Sequence, residues 1–94
     1  VPEEYALHYN YPNPFNPVTT MLYDLPEASY TRLIIYDLLG RQVQTLVDQP
    51  LDAGYYRMQW DGRNSHGQMV GGGVYFYQIQ TDGFIRTRKM LLLK

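Results

Sequence analysis

The chain is a string of short alternating runs cut apart by proline and glycine. Met21, Tyr23 and Leu25 alternate with Thr20, Leu22 and Asp24 and stop at Pro26. Thr31, Leu33 and Ile35 alternate with Tyr30, Arg32, Ile34 and Tyr36. A period of two marks a strand with one face in a core, because successive side chains leave a strand on opposite sides. Ile34 and Tyr36 are apolar too, so this strand is expected to be covered on both faces, as a central strand is. A turn at Gly40-Arg41 leads into a return strand over Gln42 to Val47, with Val43 and Leu46 or Val47 packing inward.

Asp52-Ala53-Gly54 is turn chemistry, since Gly54 can take positive φ at no steric cost. Tyr56, Met58 and Trp60 then alternate with Tyr55, Arg57 and Gln59. Trp60 is expected in the core and Tyr55 outside. Gly71-Gly72-Gly73 is a hinge, and Val74 to Thr81 is a strand with Tyr75, Tyr77 and Ile79 on one face. Asp82-Gly83 predicts a tight two-residue hairpin, and Phe84 to Leu93 is the last strand.

These are six or seven short strands spaced roughly ten residues apart, with no sustained helical period. The pattern predicts an all-β, immunoglobulin-like antiparallel β-sandwich of about seven strands over residues 18–94.

Residues 1–17 are expected to be an extended lead-in packed on the sandwich edge. Pro12, Pro14 and Pro17 remove ladder donors and push Asn13 and Asn16 out of the α region. Their spacing does not make a PxxP ligand, and covering an unpaired edge is the better role. Leu7, Tyr11 and Phe15 are the expected anchors.

Composition narrows the function classes. Ninety-four residues make one domain, and 45% hydrophobic content fills one core. With no cysteine there is neither a disulfide frame nor a zinc–thiolate site. Eight basic against nine acidic residues leave a net charge of −1, which suits neither nucleic acid nor an anionic membrane. Val1-Pro2-Glu3-Glu4 lacks the basic and apolar regions of a secretory signal, and no initiator methionine is present. The chain is therefore expected to be a piece of a longer polypeptide. Ten tyrosines fit strand propensity and half-buried packing, with Trp60, Tyr55 and Tyr56 as the sugar-stacking candidates.

The inventory offers no chemistry. His8 and His66 lack a local nucleophile and acid. Gly71–Gly73 precede neither a helix nor a Lys-Ser/Thr pair, so they form no phosphate loop. The loop Asp61–Gly67 holds Asp61, Asn64, Ser65 and His66, too few carboxylates for calcium. An Asx-type turn capped by Asp61, with Gly62 and Gly67 supplying permissive angles, accounts for it better. No catalytic, metal or cofactor-binding residue is expected, and no enzyme activity.

The last strand is unusual. Basic residues Arg86, Arg88 and Lys89 precede Met90-Leu91-Leu92-Leu93, with Lys94 following. An ordinary closing strand with a solvated basic half and a terminal strand offered to a recogniser both fit these residues.

The run from Tyr5 to Thr20, with Asn10-Tyr11-Pro12-Asn13-Pro14-Phe15-Asn16-Pro17 at its centre, resembles the opening signature of type A C-terminal sorting domains of the type IX (Por) secretion system. Leu25-Pro26-Glu27, Ile35 to Arg41, Ala53-Gly54, Trp60 to Arg63, Gly73 to Tyr77 and Lys89 to Lys94 continue the resemblance in order. Tyr9 and Leu22 depart from it, standing where polar residues are more usual. The family overlaps the Ig-like domain of flagellar hook-capping proteins.

The resemblance implies a non-catalytic sandwich carried behind an N-terminal cargo domain of the same polypeptide. Such a protein crosses the periplasm of a Gram-negative bacterium and is read by outer-membrane secretion machinery. It is then secreted or held at the outer cell surface. By the same resemblance, Arg88, Lys89, Met90, Leu91, Leu92, Leu93 and Lys94 form part of the address. The alternative is an accessory module of a secreted enzyme, either carbohydrate-binding or a spacer. Homo-association through edge strands is a further expectation.

Overall fold

The computed structural model describes residues 1–93, and Lys94 lies outside the described residues. Seven strands follow one another: β1 (Ala6–Leu7), β2 (Thr19–Leu25), β3 (Ser29–Tyr36), β4 (Gln42–Leu51), β5 (Gly54–Trp60), β6 (Gly73–Gln80) and β7 (Ile85–Leu92). They form two antiparallel sheets, one in the order β1-β2-β5 and the other β4-β3-β6-β7.

The period-two runs explain what lies between the sheets. Met21, Tyr23 and Leu25 from β2 face Leu33 and Ile35 from β3, and Tyr75, Tyr77 and Ile79 from β6 complete the layer. Trp60 is 1% exposed at the end of β5, with Phe15 and Tyr75 rings at 5.9 and 5.4 Å. Its indole N–H donates to the Arg63 carbonyl at 2.9 Å, so burial leaves the donor satisfied. β3 is central as expected, although only Ile34 is buried on its second face; Tyr36 is half-buried.

β4 runs to Leu51, past the expected end at Val47. Its register against β3 shifts between Leu33 and Ile34, where Val47 and Thr45 are the successive partners. Leu46 is thus the extra residue of a bulge, which is why Leu46 and Val47 both pack on the core.

Both expected turns form, without left-handed backbone at Gly54 or Gly83. Gly54 does not take positive φ; it opens β5 in extended conformation opposite Leu25, and the left-handed glycines are Gly40, Gly62, Gly67 and Gly73. The β6–β7 hairpin exists, but neither Asp82 nor Gly83 has positive φ. The last ladder pair is Gln80 with Ile85, and the Thr81 N–H donates to the Phe84 carbonyl at 2.9 Å. A tertiary contact shapes this turn, because the Asp82 N–H donates to the Ser29 hydroxyl at 2.9 Å.

The lead-in covers an edge, but its anchors differ from expectation. Leu7 and Phe15 are buried with the core, whereas Tyr11 is 80% exposed. The Tyr11 backbone exchanges two hydrogen bonds with Thr20, each 2.9 Å, which turns its ring outward and the neighbouring Asn10 inward. The segment Tyr5–Pro17 thereby joins both sheets, extending one as β1 and meeting β7 of the other through Phe15.

Candidate recognition surface on the terminal strand

β7 is the outermost strand of its sheet, and its one strand neighbour there among the described residues is β6. Its alternation sends Met90 and Leu92 into the core, where both are buried, and leaves Lys89, Leu91 and Leu93 exposed. The run Met90–Leu93 that looks uniformly apolar in sequence is therefore split into two anchors and two outward side chains.

The main chain of β7 is split along its length. The Leu91 N–H donates to Asn13 Oδ1 at 3.0 Å, and the Leu91 carbonyl accepts the Phe15 N–H at 3.0 Å. The Leu93 N–H donates to the Phe15 carbonyl at 2.8 Å, completing a short parallel bridge. In an antiparallel pair, alternate residues turn their main-chain groups toward the partner strand. Leu91 turns away from β6, so Ile85, Thr87 and Lys89 turn the same way. Among the described residues, no lead-in group bonds their main chain.

The basic residues of this strand have distinct surroundings. Arg88 crosses to the lead-in, where its Nε donates to the Leu7 carbonyl and its guanidinium lies 4.1 Å from the Tyr9 ring centroid. Arg86 lies 5.3 Å from the Phe84 centroid. Among the described residues, Arg86, Arg88 and Lys89 form no ion pair.

Asn10 organises the signature segment. It is 4% exposed; its N–H donates to the Tyr77 hydroxyl, and its Nδ2 to Thr19 Oγ1, both at 2.9 Å. The Tyr77 hydroxyl donates in turn to the His8 carbonyl at 2.7 Å. Burial pushes the Tyr77 phenol above its ordinary pKa, while the Asn10 N–H opposes the shift. Pro12, Asn13, Pro14, Asn16 and Pro17 are exposed.

The remaining candidates fall elsewhere. In the Asp61–Gly67 loop the main cap is Asn64, not Asp61, since Asn64 Oδ1 accepts from the N–H groups of His66 (2.9 Å) and Gln68 (3.0 Å). Asp61 Oδ1 accepts only the Arg63 N–H, at 3.2 Å. Gly62 and Gly67 supply the left-handed angles, as expected. No group of three or more His, Cys, Asp or Glu able to hold a metal occurs among the described residues. Tyr55 faces out, 70% exposed, whereas Tyr56 stacks on Tyr23 at 5.3 Å. A His8–Asp24 contact of 3.0 Å was hidden in the sequence, because 16 positions separate the two and only β1–β2 pairing joins them.

Comparison with known proteins fits this architecture. A domain of dimeric latent PorU from Porphyromonas gingivalis superimposes with a TM-score of 0.72 at 20% identity, over 96% of this chain and 9% of that one. PorZ, described as an essential bacterial surface component of the type-IX secretion system of the same organism, gives 0.64 at 20% identity, over 92% and 11%. FLGD from P. aeruginosa gives 0.62 at 27% identity, over 80% and 59%. The chain thus spans about a tenth of PorU and PorZ, whose likeness is one of fold. No curated protein matches the sequence. The profile of the FlgD Ig-like domain matches residues 16–83, most of the sandwich, and the chain belongs to that family of Ig-like domains.

Proposed function

We propose that the domain is a folded address: a sorting module that directs a larger cargo protein to the outer-membrane machinery of a type IX secretion system. The observation that carries this reading is the division of β7. Met90 and Leu92 are locked into the core, while Lys89, Leu91 and Leu93 face solvent, the two leucines held there by main-chain bonds to the lead-in. The sandwich needs the first pair for stability and has no internal use for the second set. Likeness over nearly the whole chain to domains of PorU and PorZ supports the same reading, as does the resemblance of Asn10–Pro17 to the sorting-domain signature. Cargo would be secreted or kept at the cell surface after passing the periplasm.

The test is made in the full-length parent protein. Deleting Arg88–Lys94 is expected to leave the parent in the periplasm, but it also removes Met90 and Leu92 from the core. The double substitution Lys89→Ser with Leu91→Ser spares both anchors. It should abolish export while circular dichroism shows an intact sandwich. Normal export of a folded double variant would overturn the proposal. A passive spacer predicts that outcome, and the match to the FlgD Ig-like domain, which ends before β7, favours a spacer as the second reading.

A further inference from the structure

A second surface lies on the outer face of the three-stranded sheet, away from β7. In the β2–β5 ladder Leu22 stands opposite Arg57, and Asp24 opposite Tyr55. These pairs are of the closely spaced kind, because the β2 residues involved turn their main-chain groups toward the lead-in. Leu22 and Arg57 form a low divide. On one side a depression of about 500 Å³ is lined by His8, Asp24 and Tyr55. On the other, one of about 290 Å³ is lined by Tyr9 and Tyr11.

Three features of this face have no role in the fold. Tyr55 and Tyr11 are 70% and 80% exposed, and neither hydroxyl is hydrogen-bonded among the described residues. Leu22 is 45% exposed between them. Asp24 is matched by His8 at 3.0 Å, whereas Arg57 forms no ion pair among the described residues. The face therefore combines flat amphipathic rings, an acid–imidazole pair and one unmatched guanidinium.

We propose that this face binds an acidic saccharide of the uronic-acid type. The apolar C–H face of a sugar ring stacks on Tyr55, and Arg57 takes its carboxylate through paired N–H donors. His8 and Asp24 bond ring hydroxyls, and the chain continues over the divide toward Tyr11. Arg57 is the one cation among the described residues that line the two depressions, which suits isolated carboxylates and not a phosphate backbone, whose recognition takes several basic side chains. An extended peptide fits less well. Strand addition draws its affinity from main-chain bonds at a sheet edge, and the floor here is a sheet face presenting side chains only. The site is independent of the sorting role of β7.

The test is a titration of the 94-residue chain with galacturonate oligomers and with the matching neutral galactose oligomers, followed by NMR and calorimetry. Galacturonate is expected to perturb the Tyr55, Tyr11 and Arg57 resonances, with neutral oligomers binding at least about tenfold more weakly. Arg57→Gln should remove that preference, and Tyr55→Ala should weaken both ligand types. Both substitutions are at exposed positions, so β7 resonances should stay in place. Three results would each overturn the proposal: no perturbation by galacturonate, equal affinity for the neutral oligomer, or galacturonate binding unchanged in Arg57→Gln. Equal competition by an acidic peptide such as oligoglutamate would reassign the face to a protein partner.

Discussion

The two halves of β7 show how one strand can be both finished and unfinished. Toward its end, Leu91 and Leu93 are bonded by Phe15 and Asn13, and the neighbouring Met90 and Leu92 fill the core. Toward its start, Ile85, Thr87 and Lys89 turn main-chain groups outward, and Ile85 is 65% exposed. A sheet edge left open invites pairing with another chain, and proteins blunt edges with charge, bulges or a covering segment. Here the lead-in covers one half, and the other relies on Arg86, Arg88 and Lys89. Closure thus comes from residues far away in sequence, while the open half is protected by its own charges.

The largest way to break this contrast is at Phe15. It is 2% exposed, lies 5.9 Å from Trp60, and bridges the main chain of β7. Phe15→Ala should cost about 3–5 kcal/mol through lost transfer energy and the cavity left behind. For a domain of ordinary stability that is a large share of the total. Denaturant unfolding measures it, and Thr87→Ala on the open half should shift stability by under about 0.5 kcal/mol. Equal costs at the two sites would erase the distinction.

A narrower break removes one oxygen. Tyr77→Phe deletes the hydroxyl that accepts from the Asn10 N–H and donates to the His8 carbonyl. The Asn10 N–H is then left buried without a partner, at a cost of about 1–3 kcal/mol. Amide exchange should quicken at Asn10 and Leu91 while the β3–β6 ladder stays protected.

Alkali should act on the same latch. Burial raises the Tyr23 phenol from its ordinary 10.0 to about 12, and raises that of Tyr77 in the same direction. A raised folded-state pKa means the folded state holds its proton more tightly than the unfolded chain. That contribution is complete below pH 10 and is lost as pH rises from 10 toward 12. Stability measured by denaturant should therefore fall across this window, with the lead-in loosening first. In Tyr77→Phe the fall should be smaller, because one of the phenols raised by burial is gone.

Much of this was legible in the chain because alternation is local. Met21-Tyr23-Leu25, Leu33-Ile35 and Tyr75-Tyr77-Ile79 state their own faces, and Trp60 follows from the parity of β5. What escaped was set by partners distant in sequence. Tyr11 reads as an anchor by size alone, yet its backbone pairing with Thr20 turns it outward and brings in Asn10. Gly54 reads as a left-handed turn residue, yet pairing with Leu25 holds it extended. The composition of Met90–Leu93 marks β7 as odd, but the core beneath and the lead-in beside it decide which of those residues face outward. The outer tyrosine face was half-visible, since Tyr55 parity is local but its neighbours His8 and Arg57 meet only in the folded sheet.

The smallest change gives the sharpest comparison. Asn13 is exposed and buries nothing, but its Oδ1 is the acceptor that covers the Leu91 N–H at 3.0 Å. Asn13→Ala removes one hydrogen bond and leaves its donor to water, so the expected cost is about 0.5–1.5 kcal/mol. Stability alone hardly tests the idea. Position-resolved amide exchange does, because the Leu91 N–H should then exchange like that of Thr87, already uncovered on the same edge. If the Leu91 amide keeps its protection, the lead-in shields it by burial and not by bonding. If Thr87 is as slow as Leu91 in the unsubstituted chain, the edge has no open half, and a partner reading this strand must displace the lead-in first.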